Sequence, residues 1–149
     1  MPKFGNASKQ RLATCHPDLQ KIMNEAIKYI DFSVVEGYRT AAEQEKYYRE
    51  GKSKTLNSKH LLRYCPEYGG KYSYAVDVAP YFSSTPHTDF DDREEFCLLA
   101  GVVLSTAKRL KEEGKIKSDI RWGGKWSKAR IKSNTFFDGP HFEIEEKGE

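Results

Sequence analysis

Two stretches of the chain carry apolar residues at the spacing of an amphipathic helix. The first begins at Pro17, a residue favoured at the first helical position, and its apolar face is Leu19, Ile22, Met23, Ala26, Ile27 and Ile30. The second runs from about residue 92 to 113, and its apolar stripe is Phe96, Leu98, Leu99, Val102, Val103, Leu104, Ala107 and Leu110. The pattern predicts two core helices, and the longer second helix is expected at the centre of the core.

Local signals predict where further helices begin and end. Thr40 and Glu43 have the spacing of a capping box, so a helix is expected from Ala41 until Gly51 ends it. The same spacing in Asp91 and Glu94 predicts the cap of the long helix, which Gly114 is expected to end. Residues 1–15 are polar and indicate an arm or a short first helix.

Short apolar or alternating runs predict strands at residues 32–35, 75–79, 120–122 and 141–144. Residues 61–74 contain Pro66, Gly69 and Gly70 and indicate an irregular excursion, and residues 125–135 indicate a basic loop. Short strands mixed with a few helices favour an α+β fold over a wound parallel sheet.

The composition limits the organisation of the chain. A hydrophobic fraction of 38% in 149 residues is enough for one core, so residues 1–149 are expected to form a single domain without a separate wall-binding domain. No apolar run approaches the roughly 20 residues of a membrane span, and the N-terminus lacks a secretory signal. We therefore expect a monomeric protein that is synthesised in the cytoplasm and depends on another component for its release.

The charge is unevenly distributed. The net charge is only +3, but residues 108–132 contain ten Lys or Arg and three acids. Such a segment could attract nucleic acid, an anionic membrane or an anionic wall polymer, although a solvated helix end and loop explains it equally well. Trp122 and Trp126 alternate with these charges, which leaves a polymer groove open as an alternative. Cys15, Cys65 and Cys97 indicate structural thiols and no disulfide framework; Cys15 and Cys65 could also bind a metal, although no CxxC pair supports that alternative.

Two of the four histidines lie near an acid in a context that suggests chemistry. Asp138 precedes His141 by three residues across a Gly-Pro turn, which can fold the carboxylate beside the ring. The other pair is His60 and Asp77, and Asp77 stands among small apolar residues, where a carboxylate is costly without a partner. His16 and His87 are expected to be exposed.

A hydrolytic metal site would use these groups in different roles. Two imidazoles and one carboxylate leave an open fourth position on zinc, whose bound water has a pKa of about 7. Asp138 could accept the proton of that water, Arg39 could stabilise an oxyanion or hold a carboxylate, and Glu143 could orient His141. From the residues alone, unrelated surface and core positions explain the same pattern.

These positions fall within motifs whose order along the chain resembles that of a known family. The motifs are Gly37-Tyr38-Arg39-Thr40, Gln44, Ser58-Lys59-His60, Ala75-Val76-Asp77, Arg121 to Trp126, and Asp138-Gly139-Pro140-His141-Phe142-Glu143. In this order they resemble the zinc peptidases of the VanY and D-Ala-D-Ala carboxypeptidase group, and most of all the small phage endolysins that act as L-alanyl-D-glutamate peptidases. The resemblance covers nearly the whole chain and implies the small α+β fold shared with D,D-peptidases and the hedgehog signalling domain.

The resemblance also implies roles. It implies one Zn²⁺ held by His60, Asp77 and His141, with Asp138 as catalytic base and Arg39 in substrate or transition-state contact. Further positions implied to bind substrate or support the site are Ser58, Gln44, Glu143 and Trp122. One departure is the distance between His60 and Asp77, where sixteen residues intervene instead of the family's shorter spacing; we interpret 62–72 as a loop insertion, which costs little free energy.

These observations predict a zinc peptidase that cleaves peptidoglycan stem peptides, at the L-Ala–D-Glu bond, as a lysis enzyme. It would be synthesised in the host cytoplasm and act on the wall after release through a membrane lesion, with the 108–132 segment supplying wall attraction and no nucleic acid as partner. One alternative is a D-Ala-D-Ala carboxypeptidase. The other is a non-catalytic module of the same fold that binds zinc or the wall.

Overall fold

A computed structural model of the chain describes residues 2–126 and 136–146. The described residues form four helices: α1 (Asn6–Leu12), α2 (Pro17–Ala26), α3 (Ala41–Arg49) and α4 (Arg93–Glu112). They form six strands: β1 (Phe32–Glu36), β2 (Leu62–Cys65), β3 (Gly70–Ser73), β4 (Ala75–Pro80), β5 (Ile120–Trp122) and β6 (His141–Ile144). The α+β fold class is therefore confirmed. Most of the predicted basic loop, 127–135, and the tail beyond residue 146 lie outside the described residues.

The main sheet places two chemically important strands side by side at its centre. Its order is β1-β4-β6-β5, and every neighbouring pair is antiparallel. In the register of β4 and β6, Val76 lies opposite Phe142, and Asp77 lies opposite His141. Two segments separated by more than sixty residues of sequence thus meet at one position of the sheet.

Helix α4 packs against β4 and β5 of this sheet, and α2 packs against α4, so that the two helices and the sheet build the core. The sheet contributes Val34, Val76, Val78 and Phe142, all without solvent exposure. The helices contribute the predicted apolar faces, of which Leu19, Ile22, Met23, Leu99 and Val103 are fully buried. None of the helices in residues 2–126 and 136–146 has the length and apolar character that crossing a bilayer requires.

The helix caps agree with the sequence at α3 and differ by one residue at α4. Thr40 and Glu43 form the predicted reciprocal capping box. At α4 the capping side chain is Asp92, which accepts a hydrogen bond from the backbone N–H of Glu95. The predicted cap at Asp91 is wrong because Asp91 still belongs to the preceding turn, where its N–H donates to Asp89.

The segment predicted as an irregular excursion is a β-hairpin, β2–β3, with Leu62 opposite Ser73 and Cys65 opposite Gly70. Gly69, at φ +69°, supplies the left-handed conformation of its turn. The hairpin was missed because Pro66 and the two glycines suggested a loop, although they occupy only the turn between the strands. Its base is closed by a hydrogen bond of 2.8 Å from the N–H of Tyr74 to the carbonyl of Lys59.

The tip of the hairpin is anchored to the N-terminal helices. The Tyr68 hydroxyl donates to Asp18 Oδ1 at 2.7 Å, and Asp18 Oδ2 accepts from the Ser118 hydroxyl at 2.7 Å. His16 is buried against the hairpin, so its predicted exposure is wrong: its Nδ1 accepts from Asp18 N–H and its Nε2 lies 3.4 Å from Cys65 Sγ. Burial lowers the pKa of His16, which keeps the ring neutral.

Asp18→Ala is expected to destabilise the fold by about 2–4 kcal/mol, because it removes a buried carboxylate that accepts four hydrogen bonds from Tyr68, Lys117 and Ser118. Hydrogen bonds from Ser118, Tyr68 and Lys117 outweigh burial and lower the pKa of Asp18. The carboxylate therefore stabilises the fold above its unfolded pKa of about 3.9, and this contribution is lost as the pH falls through the lower folded value. Urea unfolding at pH 7 and pH 3 measures both effects; a mutant as stable as the parent at pH 7 would contradict the prediction.

Candidate metal centre and active-site cleft

Three side chains from separate segments converge at the end of the central strands. Asp77 extends from β4, His141 from the start of β6, and His60 from the segment that precedes the hairpin. The Oδ1 atom of Asp77 lies 3.2 Å from His60 Nε2 and 3.1 Å from His141 Nδ1. All three donor atoms lie within 4.8 Å of one another, close enough to share one metal ion.

The second nitrogen of each ring has its own partner, and this fixes the tautomer. His60 Nδ1 lies 2.7 Å from the carbonyl oxygen of Gly37, which can only accept, so Nδ1 carries a hydrogen. His141 Nε2 lies 2.8 Å from Glu143 Oε1, so it also donates. The nitrogens that face Asp77 are therefore the ones left with lone pairs when both rings are neutral.

Positive charge must lie between these nitrogens and the carboxylate, because lone pairs on nitrogen and oxygen repel each other at this distance. Protonation of His141, or a metal ion bound by all three groups, places such a charge there. In the protonated form, hydrogen bonds to Asp77 and Glu143 outweigh burial and raise the pKa of His141 to about 10. The two imidazoles lower the pKa of Asp77 despite its burial. Two neutral imidazoles and a carboxylate also match the donor set of catalytic transition-metal sites, so the residues fit a metal ion.

Gly37 allows the backbone to reach His60. A Cβ atom at this position would collide with the carbonyl of Arg11 and the hydroxyl of Thr14 and would lie 3.0 Å from Cys15 Sγ. The absence of a side chain therefore lets β1 pass against the end of α1. The Gly37 carbonyl at this position accepts the hydrogen bond from His60 Nδ1.

Glu143 is held from two sides besides its contact with His141. The Lys59 ammonium lies 2.9 Å from Glu143 Oε2 and donates at 2.7 Å to the carbonyl of Ile144. Arg121 approaches the same carboxylate at 3.7 Å. Burial raises the pKa of Glu143, but hydrogen bonds from His141 and Lys59 outweigh it and lower the pKa to about 2. Lys59 thus links the segment that carries His60 to the strand that carries His141.

Asp138 lies beside the three converging residues on a tightly held turn. Its N–H donates to the carbonyl of Gly123 at 2.8 Å, and the Trp122 indole donates to the carbonyl of Gly139 at 2.7 Å. Burial and the negative charge of Asp77 raise the pKa of Asp138. A carboxylate with a raised pKa, next to a metal-binding group, has the properties of a general base.

These residues open onto a cleft of about 490 Å³, which we call the active-site cleft. Its floor contains His60, Asp77, Asp138 and His141. Its walls include most of residues 51–59, together with Arg39, Arg121, Trp126, Phe136 and Glu143. The volume is in the range of clefts that bind small molecules or peptide segments.

Arg39 reaches the cleft as part of a hydrogen-bonded group. Its Nε and one terminal nitrogen donate to the two oxygens of Glu36 at 2.6 and 2.9 Å, and the other terminal nitrogen donates to Gln44 at 2.7 Å. Its guanidinium also lies over the Tyr47 ring, at 4.6 Å from the centroid. Arg39 is therefore held rigidly, with most of its donors already used.

The structure brings most of the sequence-predicted site residues to the cleft, but two lie elsewhere. Ser58 lines the cleft and caps the N–H of His60. Gln44 is buried behind Arg39, and Trp122 packs in the core, so neither is among the described residues that line the cleft. Trp126 lines it instead, at 5.8 Å from the His141 ring. Sequence reasoning also missed Lys59; its only signal was its place next to His60.

Nearly the whole chain, including every residue of the site described above, matches the model of a known family. A family model described as "Phage L-alanyl-D-glutamate peptidase" matches residues 1–145. The chain belongs to the phage L-alanyl-D-glutamate peptidase family. The family membership implied by the order of the sequence motifs is thus confirmed.

Two proteins of related activity show how far the likeness extends. The L-alanyl-D-glutamate peptidase of Escherichia phage T5 is 30% identical over 152 residues, covering 95% of this chain and 97% of that protein. The crystal structure of the Serratia marcescens L-Ala D-Glu endopeptidase ChiX is similar with a TM-score of 0.71 and 28% identity, covering 96% of this chain and 90% of that one. The likeness to both proteins thus extends over nearly the whole of this chain.

Proposed function

We propose that this member of the family is a zinc peptidase that hydrolyses the L-Ala–D-Glu bond of peptidoglycan stem peptides. The observation that carries the proposal is the convergence of His60, Asp77 and His141 beside Asp138 at the floor of an open cleft. Family membership supports the bond, because the phage T5 relative is named for it. A single catalytic domain acting as a monomer is part of the proposal.

His60 Nε2, Asp77 and His141 Nδ1 would hold the zinc ion. When bound, zinc supplies Lewis acidity to the scissile carbonyl and lowers the pKa of water to about 7. Two imidazoles and a carboxylate, with one coordination position left open, are the donor set expected of a catalytic zinc site. Glu143 keeps His141 in the tautomer whose Nδ1 faces the metal position.

The reaction requires one proton to move twice. As the water oxygen bonds to the alanyl carbonyl carbon, Asp138 accepts the proton of the water. When the carbon–nitrogen bond breaks, Asp138 returns this proton to the departing amine of D-glutamate. The remaining N–H donors of Arg39 are available to stabilise the charge on the carbonyl oxygen.

The proposal also includes the place where the enzyme is made and the place where it acts. The enzyme would be made in the host cytoplasm and reach the wall after a membrane lesion forms. The basic segment 108–132 would attract the anionic wall, and its residues 127–132 lie outside the described residues.

Mass spectrometry of purified muropeptides after digestion tests the proposed bond. We expect a fragment with a new D-glutamyl amino terminus and a matching fragment that ends in L-alanine. Release of free alanine from the end of the stem would instead identify a carboxypeptidase. Bound zinc with no cleaved product would identify a non-catalytic module.

Lys59→Met is expected to weaken zinc binding by about tenfold, at the lower end of the loss seen when an outer partner of a metal ligand is removed. Without its ammonium, Glu143 loses the contact that holds it against His141. A competition assay with a chromophoric chelator measures the zinc Kd. Lys59→Arg should restore much of the affinity, and Lys46→Met on the exposed side of α3 serves as the control. Equal Kd values for Lys59→Met and the control would contradict a supporting role.

A further inference from the structure

One wall of the active-site cleft is a short arch built around Lys54. The arch comprises Ser53, Lys54 and Thr55, and its two ends are tied together because the Ser53 hydroxyl donates to the Thr55 carbonyl at 3.1 Å. All three residues line the cleft. Lys54 is therefore the apex of a closed turn at the edge of the catalytic cavity.

A buried glutamine holds this arch in place. The side-chain nitrogen of Gln44 donates to Ser53 Oγ at 2.8 Å and to the Thr55 carbonyl at 2.7 Å, one anchor on each side of Lys54. Gln44 is only 1% exposed, and its carbonyl oxygen accepts from Arg39. One amide thus couples the position of the arch to the guanidinium inside the cleft. This explains why a polar side chain is buried in α3.

The Lys54 ammonium extends to the opposite wall. It lies over the Phe136 ring at 5.9 Å from the centroid, and Phe136 is 66% exposed and lines the cleft two residues before Asp138. The contact with the ring uses no oxygen acceptor, so the ammonium can still donate hydrogen bonds to a ligand. The cation therefore stands at the mouth of the cleft, between the arch and the segment that carries Asp138.

The other cations of the cleft are engaged with carboxylates of the protein. Arg39 is bound by both oxygens of Glu36, Lys59 and Arg121 approach Glu143, and Lys52 approaches Glu50. Within residues 2–126 and 136–146, Lys54 is the cleft cation that contacts a ring and no carboxylate. A carboxylate brought by a substrate would therefore meet the least competition at Lys54.

The substrate of the proposed function brings such a carboxylate. A glutamyl residue has two carboxyl groups, and whichever of them continues the peptide, the other stays free near the scissile amide. We propose that Lys54 is a specificity residue that binds this free carboxylate of the D-glutamyl residue. The inference rests on the proposed function and adds to it the preference for an acidic residue on the leaving side of the bond.

A pair of substrates that differ in one group tests the inference. One is a muropeptide with L-Ala–D-Glu and its free carboxylate, and the other is the same peptide with that carboxylate converted to a carboxamide. The parent enzyme is expected to cleave the acid with a kcat/KM about five- to tenfold above the amide, and salt should reduce the difference. Lys54→Met should cleave the acid with a kcat/KM lower than the parent's by this same factor, and it should cleave the amide as the parent does. Lys54→Arg should retain the preference.

The controls separate this inference from the proposed function. Lys46→Met removes an exposed lysine outside the cleft and should leave both rates and their ratio unchanged. If Lys54→Met lowers both rates equally, or neither, Lys54 does not bind the carboxylate although the peptidase activity stands. If the parent enzyme cleaves neither peptide, the proposed function itself fails and the inference falls with it.

Discussion

Replacing Asp138 by asparagine is expected to lower kcat on muropeptides by about 10²–10⁴-fold, the usual contribution of a general base. The amide keeps the size of the side chain and can no longer accept the proton of the attacking water. The turn that carries it should persist, because its hydrogen bonds are made by backbone groups of Asp138 and Gly139. Initial rates of stem-peptide cleavage at saturating substrate measure the effect.

The zinc content distinguishes a lost base from a lost metal. Asp138→Asn should bind zinc as the parent does, since the three converging donors are His60, Asp77 and His141. Asp31→Asn, an exposed aspartate outside the cleft, is the matched control and should keep full activity. Substantial turnover by Asp138→Asn would remove Asp138 from the mechanism, and the metal site would then need another base.

Replacing His60 by alanine is expected to weaken zinc binding by more than about 100-fold, beyond the loss caused by an outer partner alone. It removes one of the three metal-binding atoms, and it removes the ring N–H that donates to the Gly37 carbonyl. The purified mutant should contain far less than one zinc per chain by elemental analysis. It should also lack activity on permeabilised Gram-negative cells, measured as loss of turbidity.

Two further measurements make the His60 result decisive. His87→Ala replaces an exposed histidine outside the cleft and should retain zinc and activity. Circular dichroism should show that His60→Ala keeps the secondary structure of the parent. A folded His60→Ala protein with a full complement of zinc would contradict the assigned ligand set.

The parts of the fold that the sequence predicts well are those in which a local pattern and burial agree. The apolar residues of α2 and α4 recur at helical spacing and are buried or partly buried, except for Leu98 at the edge of the α4 stripe, which is 58% exposed, so its prediction as part of the stripe is wrong. Residues 75–79 form a continuous apolar run around Asp77, and this run became the central strand β4. In the helices the period of the apolar side chains is the period of the element, whereas β4 is apolar throughout because both of its faces are covered.

The parts that were missed depend on contacts between distant residues. His16 has the local sequence of an exposed helix cap, and only the hairpin buries it against Cys65 and Tyr68. Trp122 and Trp126 are separated by a Gly-Gly turn, so the sequence does not indicate which indole faces the cleft. The structure puts Trp126 there because the indole of Trp122 donates into the turn after Asp138.

The residues around the metal position also include some whose roles depend on contacts between distant parts of the chain. Motif order predicted that His60, Asp77 and His141 would meet, and the register of β4 and β6 shows how two of them do. The role of Lys59 depends on its reach across to β6, and that of Gln44 on its reach to the arch. Neither distance is encoded in the spacing of residues along the chain.

The closed base of the hairpin has a consequence for how this enzyme family can vary. The chain leaves the site after His60 and returns toward it at Tyr74, whose N–H donates to the carbonyl of Lys59 and joins the two ends of the hairpin. Residues 66–69, which form the turn between β2 and β3, can therefore differ in length while His60 and Asp77 stay where they are, provided that the contact of Tyr68 with Asp18 is kept. The segment is therefore a natural position for grafting a new recognition element onto a lytic enzyme without rebuilding its chemistry.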